Sequence, residues 1–159
     1  MRFARIYMVE NPSVFAELVD ADANKQDGMN DDFRVIVCGN GQPSMAVIRL
    51  LDTLLGSREG AVLSYAGDLD PAGLGIAQSL QLRFPQAFRP WRMDREHYLQ
   101  YAHKGMPLTV NERSRLLEGR CGWDSALIDA MKDAGFKLHQ ELWLDELLRD
   151  LEQEGNRDR

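Results

Sequence analysis

The 159-residue chain predicts an α/β domain: a central, mainly parallel four-stranded sheet flanked by helices, with a C-terminal helical extension. Three observations carry that prediction. The apolar runs RIYMVE (5–10), FRVIVC (33–38) and AVLSYAG (61–67) are nearly continuous, as in strands covered on both faces. A helical pattern follows each run, and strand–helix alternation of this kind builds a parallel sheet. Each strand-to-helix junction places a polar residue before a proline: Asn11-Pro12, Gln42-Pro43 and Asp70-Pro71. Proline suits the first helical position, where its missing N–H costs nothing, and Asn or Asp caps well immediately before it.

The elements follow in order. Val14, Phe15, Leu18 and Val19 mark the first helix, and the acidic stretch Asp20–Asp32 reads as an exposed, mobile loop. Val47, Ile48, Leu51, Leu54 and Leu55 mark the second helix; Ile76, Ala77 and Leu80 mark the third. FRPWRM (88–93) is the fourth strand, although Pro90 cannot donate to a ladder. Residues 94–102 form a short helix. Residues 103–123, with Gly105, Pro107, Gly119 and Gly122, read as mostly irregular. Helices over 124–134 and 138–152 close the chain, the second carrying Leu138, Leu142, Leu144, Leu147, Leu148 and Leu151 at helical spacing. The tail EGNRDR is expected to fray. Residues 1–155 read as one domain, and the abrupt start into a strand points to the C-terminal part of a longer protein.

Composition narrows the function. With 44% hydrophobic residues the chain buries an ordinary core. It has no apolar run long enough to span a membrane and no signal-peptide architecture. Cys38 and Cys121 sit in no metal-like spacing and read as free thiols of a cytoplasmic protein. The net charge of −6 argues against a free-standing nucleic-acid binder, but residues 83–120 carry eight Lys/Arg against four acids. That basic segment could meet phosphates, with Arg92 and Arg95 as candidate DNA-backbone contacts.

The three junctions share the carboxyl edge of the sheet, where open α/β sheets bind ligands and helix N-termini favour anions. Glu10 ends the first run, and Asp68-Leu69-Asp70 ends the third. If those strands are neighbours, three carboxylates converge. They would raise one another's pKa unless a divalent cation compensates them. Mg²⁺ prefers oxygen ligands and keeps room for substrate phosphate. Glu141 is a candidate additional ligand. Gly39 and Gly41, in CGNGQPS, are candidates for phosphate contact through backbone N–H groups. Ser44 stands where a dinucleotide fingerprint needs its third glycine, which disfavours a Rossmann-type nucleotide site.

In order, VENPSVFAEL, CGNGQPSMAVIRLL and GDLDPAGLGIA resemble the Toprim domain, closest to that of type IIB topoisomerase A subunits. With RPWRMDREHY and LHQELWLDELLRDL, the chain most resembles the C-terminal domain of JetD-type nuclease subunits of bacterial Wadjet plasmid-defence systems. The resemblance implies a Toprim, Rossmann-like fold in which Glu10, Asp68 and Asp70 hold one or two Mg²⁺, with Mn²⁺ as an alternative. It further implies a DNA endonuclease that works with an SMC-like ATPase complex, and it is compatible with a homodimer. No domain for a nucleophilic tyrosine fits in this length, and Tyr7, Tyr65, Tyr98 and Tyr101 lack its context. Hydrolysis is therefore expected rather than covalent strand passage. The rivals are a non-catalytic Toprim-like scaffold and an aspartyl phosphatase. The latter would need its Asp-x-Asp after the first strand and a threonine where Ala72 stands.

Overall fold

Four strands form one parallel sheet in the computed structural model, which describes residues 4–23, 33–57, 59–119 and 121–157. They are β1 (Ala4–Val9), β2 (Phe33–Cys38), β3 (Val62–Ala66) and β4 (Phe88–Pro90), in the spatial order β2-β1-β3-β4. Ile6, Met8, Val9, Leu63, Tyr65 and Ala66 are fully buried, as their continuous apolar runs require of strands covered on both faces. Pro90 sits on β4, an edge strand, where a missing donor is tolerated.

The connecting helices are α1 (Pro12–Ala23), α2 (Met45–Gly56) and α3 (Pro71–Arg83). Val14 and Leu18 of α1, Leu51 of α2, and Leu74, Ile76, Ala77 and Leu80 of α3 face the core. The proline rule holds for α3 but not for α2. Ser44 caps α2, its hydroxyl accepting the Val47 N–H at 3.3 Å, so Pro43 lies outside the helix. A hydroxyl that can reach the third N–H outcompetes the bulkier Gln42 as cap. Helix α1 runs into the stretch expected to be a loop; residues 24–32 of that stretch lie outside the described residues.

The second half differs from expectation in several places. Residues 110–118 form α5 (Val110–Glu118), inside the segment expected to be irregular. Thr109 and Glu112 make a complete capping box there, each side chain bonded to the other's backbone N–H. That reciprocal closure satisfies two orphan donors and starts a helix despite flanking glycines. Around it lie α4 (Arg95–Tyr101), α6 (Ser125–Ala134) and the short antiparallel pair β5 (Met106–Pro107) and β6 (Phe136–Lys137). The closing helix is a 3₁₀ turn, Gln140–Trp143, followed by α7 (Leu144–Arg157), which packs against α1. The tail expected to fray is helical through Arg157; residues 158–159 lie outside the described residues. Leu147 and Leu151 of α7 join the same buried cluster as the sheet.

Candidate metal centre

The strand order creates the site. From β1 the chain moves outward to β2, then returns across β1 to pair β3 on the other side. The crevice at such a switch point lies beyond the carboxyl ends of β1 and β3. Glu10 follows β1 and Asp68 follows β3, so both open there. The Asp68 N–H donates to Glu10 Oε2 at 3.2 Å. Gly67 permits this approach: a Cβ there would lie 2.5 Å from the Tyr65 hydroxyl and 2.9 Å from Glu10 Oε2. The fully buried Tyr65 hydroxyl has no hydrogen bond of good geometry, and Glu10 is its strongest charged neighbour.

Burial pushes the Glu10 carboxyl up to about 7, and the charges of Asp68 and Asp70 push the same way against the stabilising Asp68 N–H. Burial raises Asp70 also, with Asp68 and Glu112 adding to it. Asp70 is the N-cap of α3: its Oδ1 accepts the Gly73 N–H at 2.7 Å. Gly73 is itself required, because a Cβ there would run into the Asp68 carbonyl. Between the two aspartates, Leu69 is fully buried, so the acids flank a side chain anchored in the core.

The C-terminal segment grips this loop from the other side. Leu69 and Leu138 exchange backbone hydrogen bonds at 2.8 and 3.1 Å as an isolated antiparallel bridge. That register brings His139, Gln140 and Glu141 to the carboxylates. Asp68 Oδ1 accepts the Gln140 N–H at 2.8 Å, and its Oδ2 lies 3.0 Å from His139 Nδ1. The hydrogen bond to Asp68 raises the His139 pKa. Gln140, fully buried, accepts the Asn11 N–H at 2.7 Å and donates to the Ala66 carbonyl at 3.2 Å, tying the ends of β1 and β3 together. Glu141 Oε1 accepts from Asn11 Nδ2 at 2.5 Å. Sequence reasoning placed Glu141 near the site but missed His139 and Gln140. The cluster of three polar residues in LHQEL, just before a leucine-rich helix, was the available signal.

Among the described residues, one group offers ligand atoms all within 4.8 Å of one another: Asp68, His139 and Glu141. Glu10 and Asp70 stand outside that group, though both couple electrostatically to Asp68. The other candidates are placed as follows. The N–H groups of Gly39 and Gly41 turn to β1, donating to the carbonyls of Val9 at 2.8 Å and Glu10 at 3.4 Å. The glycine loop thus braces Glu10 instead of presenting those two donors to a phosphate. The Arg92 guanidinium grips Asp150 of α7 through two hydrogen bonds, at 2.8 and 2.6 Å, and lies 3.4 Å from Glu146. Most of its fork is spent on holding α7. Arg95 begins α4 with an exposed side chain, while its N–H donates to Asp124. Arg83 pairs with Asp52, so part of the basic segment's charge is neutralised within the fold.

The family model described as "Protein of unknown function C-terminus (DUF2399)" matches residues 1–151. The chain belongs to the DUF2399 family. No curated protein and no solved structure matches it. Glu10, Asp68, Asp70 and the clamp 138–141 all fall within the DUF2399 match. Among the described residues of this DUF2399 chain, no helix is long and apolar enough to cross a membrane.

The donor chemistry suits a hard divalent cation. Glu10, Asp68 and Asp70 offer carboxylate oxygens from adjacent strand ends, and like charges so placed favour a bound cation over three ionised neighbours. The raised Glu10 pKa marks the electrostatic stress that a cation would relieve. His139 supplies part of that compensation from the solvent side.

Proposed function

We propose that this DUF2399 domain is a Toprim-type, Mg²⁺-dependent nuclease module that hydrolyses DNA phosphodiesters as part of a Wadjet-like defence system. One observation carries the reading: Glu10 and the Asp68/Asp70 pair stand at adjacent strand ends across the switch point, electrostatically coupled, with Glu10 held near neutral pKa. Glu10, Asp68 and Asp70 would hold one or two Mg²⁺, with Mn²⁺ as a substitute. When bound, such an ion lowers the pKa of a coordinated water and polarises a phosphate oxygen. Asp70 keeps Oδ1 on the α3 N-terminus through the Gly73 N–H, and its second oxygen would serve the ion. Where the ion leaves one of its oxygens free, Glu10 would accept the proton of the attacking water. DNA and an SMC-like ATPase complex are the partners this reading assigns.

The test is calorimetric titration of Mg²⁺ into wild type, Asp68→Ala and Asp70→Ala. We expect at least a tenfold loss of affinity in each variant, about 1.4 kcal/mol or more. Equal affinity in all three would sink the site. A second reading, a non-catalytic scaffold, is favoured by the full engagement of both Asp68 oxygens by His139 and Gln140. Plasmid cleavage by the assembled complex carrying Glu10→Ala discriminates: unchanged cleavage supports the scaffold.

A further inference from the structure

We propose that His139 and Glu141, together with Asp68, which they share with the Glu10–Asp68–Asp70 cluster, form an adjoining cation site selective for a borderline transition-metal ion of the Zn²⁺ class over Mg²⁺. The ligand atoms of these three residues already lie within 4.8 Å of one another. His139 Nδ1 and Asp68 Oδ2 are 3.0 Å apart. Two ligands at about 2.1 Å from one ion, at right angles, are separated by about 3 Å. An ion can therefore take the place of the proton shared by that pair, and a Glu141 carboxylate oxygen already lies within 4.8 Å of a ligand atom of each.

The donor types set the ion. A ring nitrogen with two carboxylates is a mixed N/O set. Imidazole suits Zn²⁺ and its neighbours, whereas Mg²⁺ selects all-oxygen surroundings. The ligands are also held from behind, as metal ligands usually are. The Gln140 N–H fixes Asp68 Oδ1, leaving Oδ2 for the ion. Asn11 Nδ2 fixes Glu141 Oε1, leaving Oε2. Buried Gln140, bonded to Asn11 and Ala66, holds the backbone of both neighbouring ligands in register.

The site is reachable. His139 and Glu141 line an open groove of about 370 Å³, together with Lys104, Met106, Lys137 and Leu142. Unlike Glu10, which is half-buried, His139 and Glu141 are exposed on this groove. An ion held there keeps open positions toward the groove, where Lys104 and Lys137 give an anionic ligand a favourable wall. Lys137 pairs with Glu112 at 2.6 Å, so Lys104 carries most of the positive charge of that wall.

The test reads binding directly on the full chain, without DNA. ZnCl₂ and, separately, MgCl₂ are titrated calorimetrically into the metal-free wild type, His139→Gln, Glu141→Gln and Glu10→Gln, with the imidazole resonances of the three histidines followed in parallel. Gln at 139 keeps a donor for Asp68 but lacks the ring nitrogen, and circular dichroism with thermal melts checks that each variant is folded. We expect one Zn²⁺ site with His139 resonances shifted. Affinity should fall at least tenfold in both His139→Gln and Glu141→Gln and stay within threefold of wild type in Glu10→Gln. Unchanged Zn²⁺ affinity in either of the first two variants, or a loss confined to Glu10→Gln, overturns the proposal. Because cleavage is not the readout, failure of this site leaves the Mg²⁺ titration of the carboxylate cluster untouched, and the reverse holds.

Discussion

Replacing Glu10 by Gln should stabilise the metal-free protein above neutral pH, and the size of the gain follows from the site. Glu10 ionises near 7 in the fold against an ordinary 4.5, chiefly because it is buried. A raised folded-state pKa gives stability that is complete below about 4.5 and is lost as pH rises through about 7. The full difference converts to about 3 kcal/mol at alkaline pH. The side chain is only partly buried, so screening reduces this to about 1–3 kcal/mol. Gln keeps an oxygen for the Asp68 N–H and introduces no charge. Urea denaturation in EDTA, at about pH 5 and about pH 8.5, should give similar midpoints for wild type and Glu10→Gln at the lower pH. At the higher pH the variant should unfold at higher urea, by roughly 0.5–2 M. Adding Mg²⁺ at the higher pH should stabilise wild type and not the variant. Parallel pH dependence in both proteins would refute the assignment of Glu10 as the stressed carboxyl and remove the main electrostatic support for a cation there.

Three further outcomes are expected. Asp68→Asn should bring the His139 pKa back down toward its ordinary value, because the bond to Asp68 is what raises it; an NMR pH titration of the ring reads this. Gln140→Ala should cost about 2–4 kcal/mol in urea melts, because it strips partners from the Asn11 N–H and the Ala66 carbonyl and leaves a cavity at a fully buried position. Thr109→Ala should cost about 1 kcal/mol by the same measurement through loss of the capping box, with Mg²⁺ affinity unchanged.

The parts legible in the sequence are those written in local signals. Three apolar runs gave the strands, and Asp70-Pro71 gave the start of α3 with its cap. Glu10 and Asp68 were paired on the condition that the first and third strands are neighbours, and the order β2-β1-β3-β4 meets it. Helix α5 was legible too, since Thr109-x-x-Glu112 is a capping-box pattern, but Gly105, Pro107 and Gly119 outweighed it in a composition-based reading. What no local signal could supply was the partner of each charge. Counting Arg92 as a phosphate contact ignored Asp150, 58 residues away, which takes its guanidinium. His139 and Asp68 are 71 residues apart, and only the Leu69–Leu138 bridge sets them face to face.

That bridge explains why the centre spans the whole chain. The sheet and α3 alone would deliver Glu10, Asp68 and Asp70 to the crevice, but they fix only two of the three: Glu10 through the Asp68 N–H and Asp70 through its cap. Both contacts that orient the Asp68 carboxylate come from residues 139 and 140. The same segment is held in place by Leu138 and Trp143 in the core, and behind it by α7, which Arg92 ties to the end of β4. An aspartate at a strand end can rotate freely, and a site that must hold metal or phosphate to within about 0.5 Å needs that freedom removed. The leucine-rich C-terminus therefore does more than close the core. It converts a loose pair of acids at the edge of a sheet into a fixed set of carboxylates, and His139 and Glu141 extend that polar set toward the open groove.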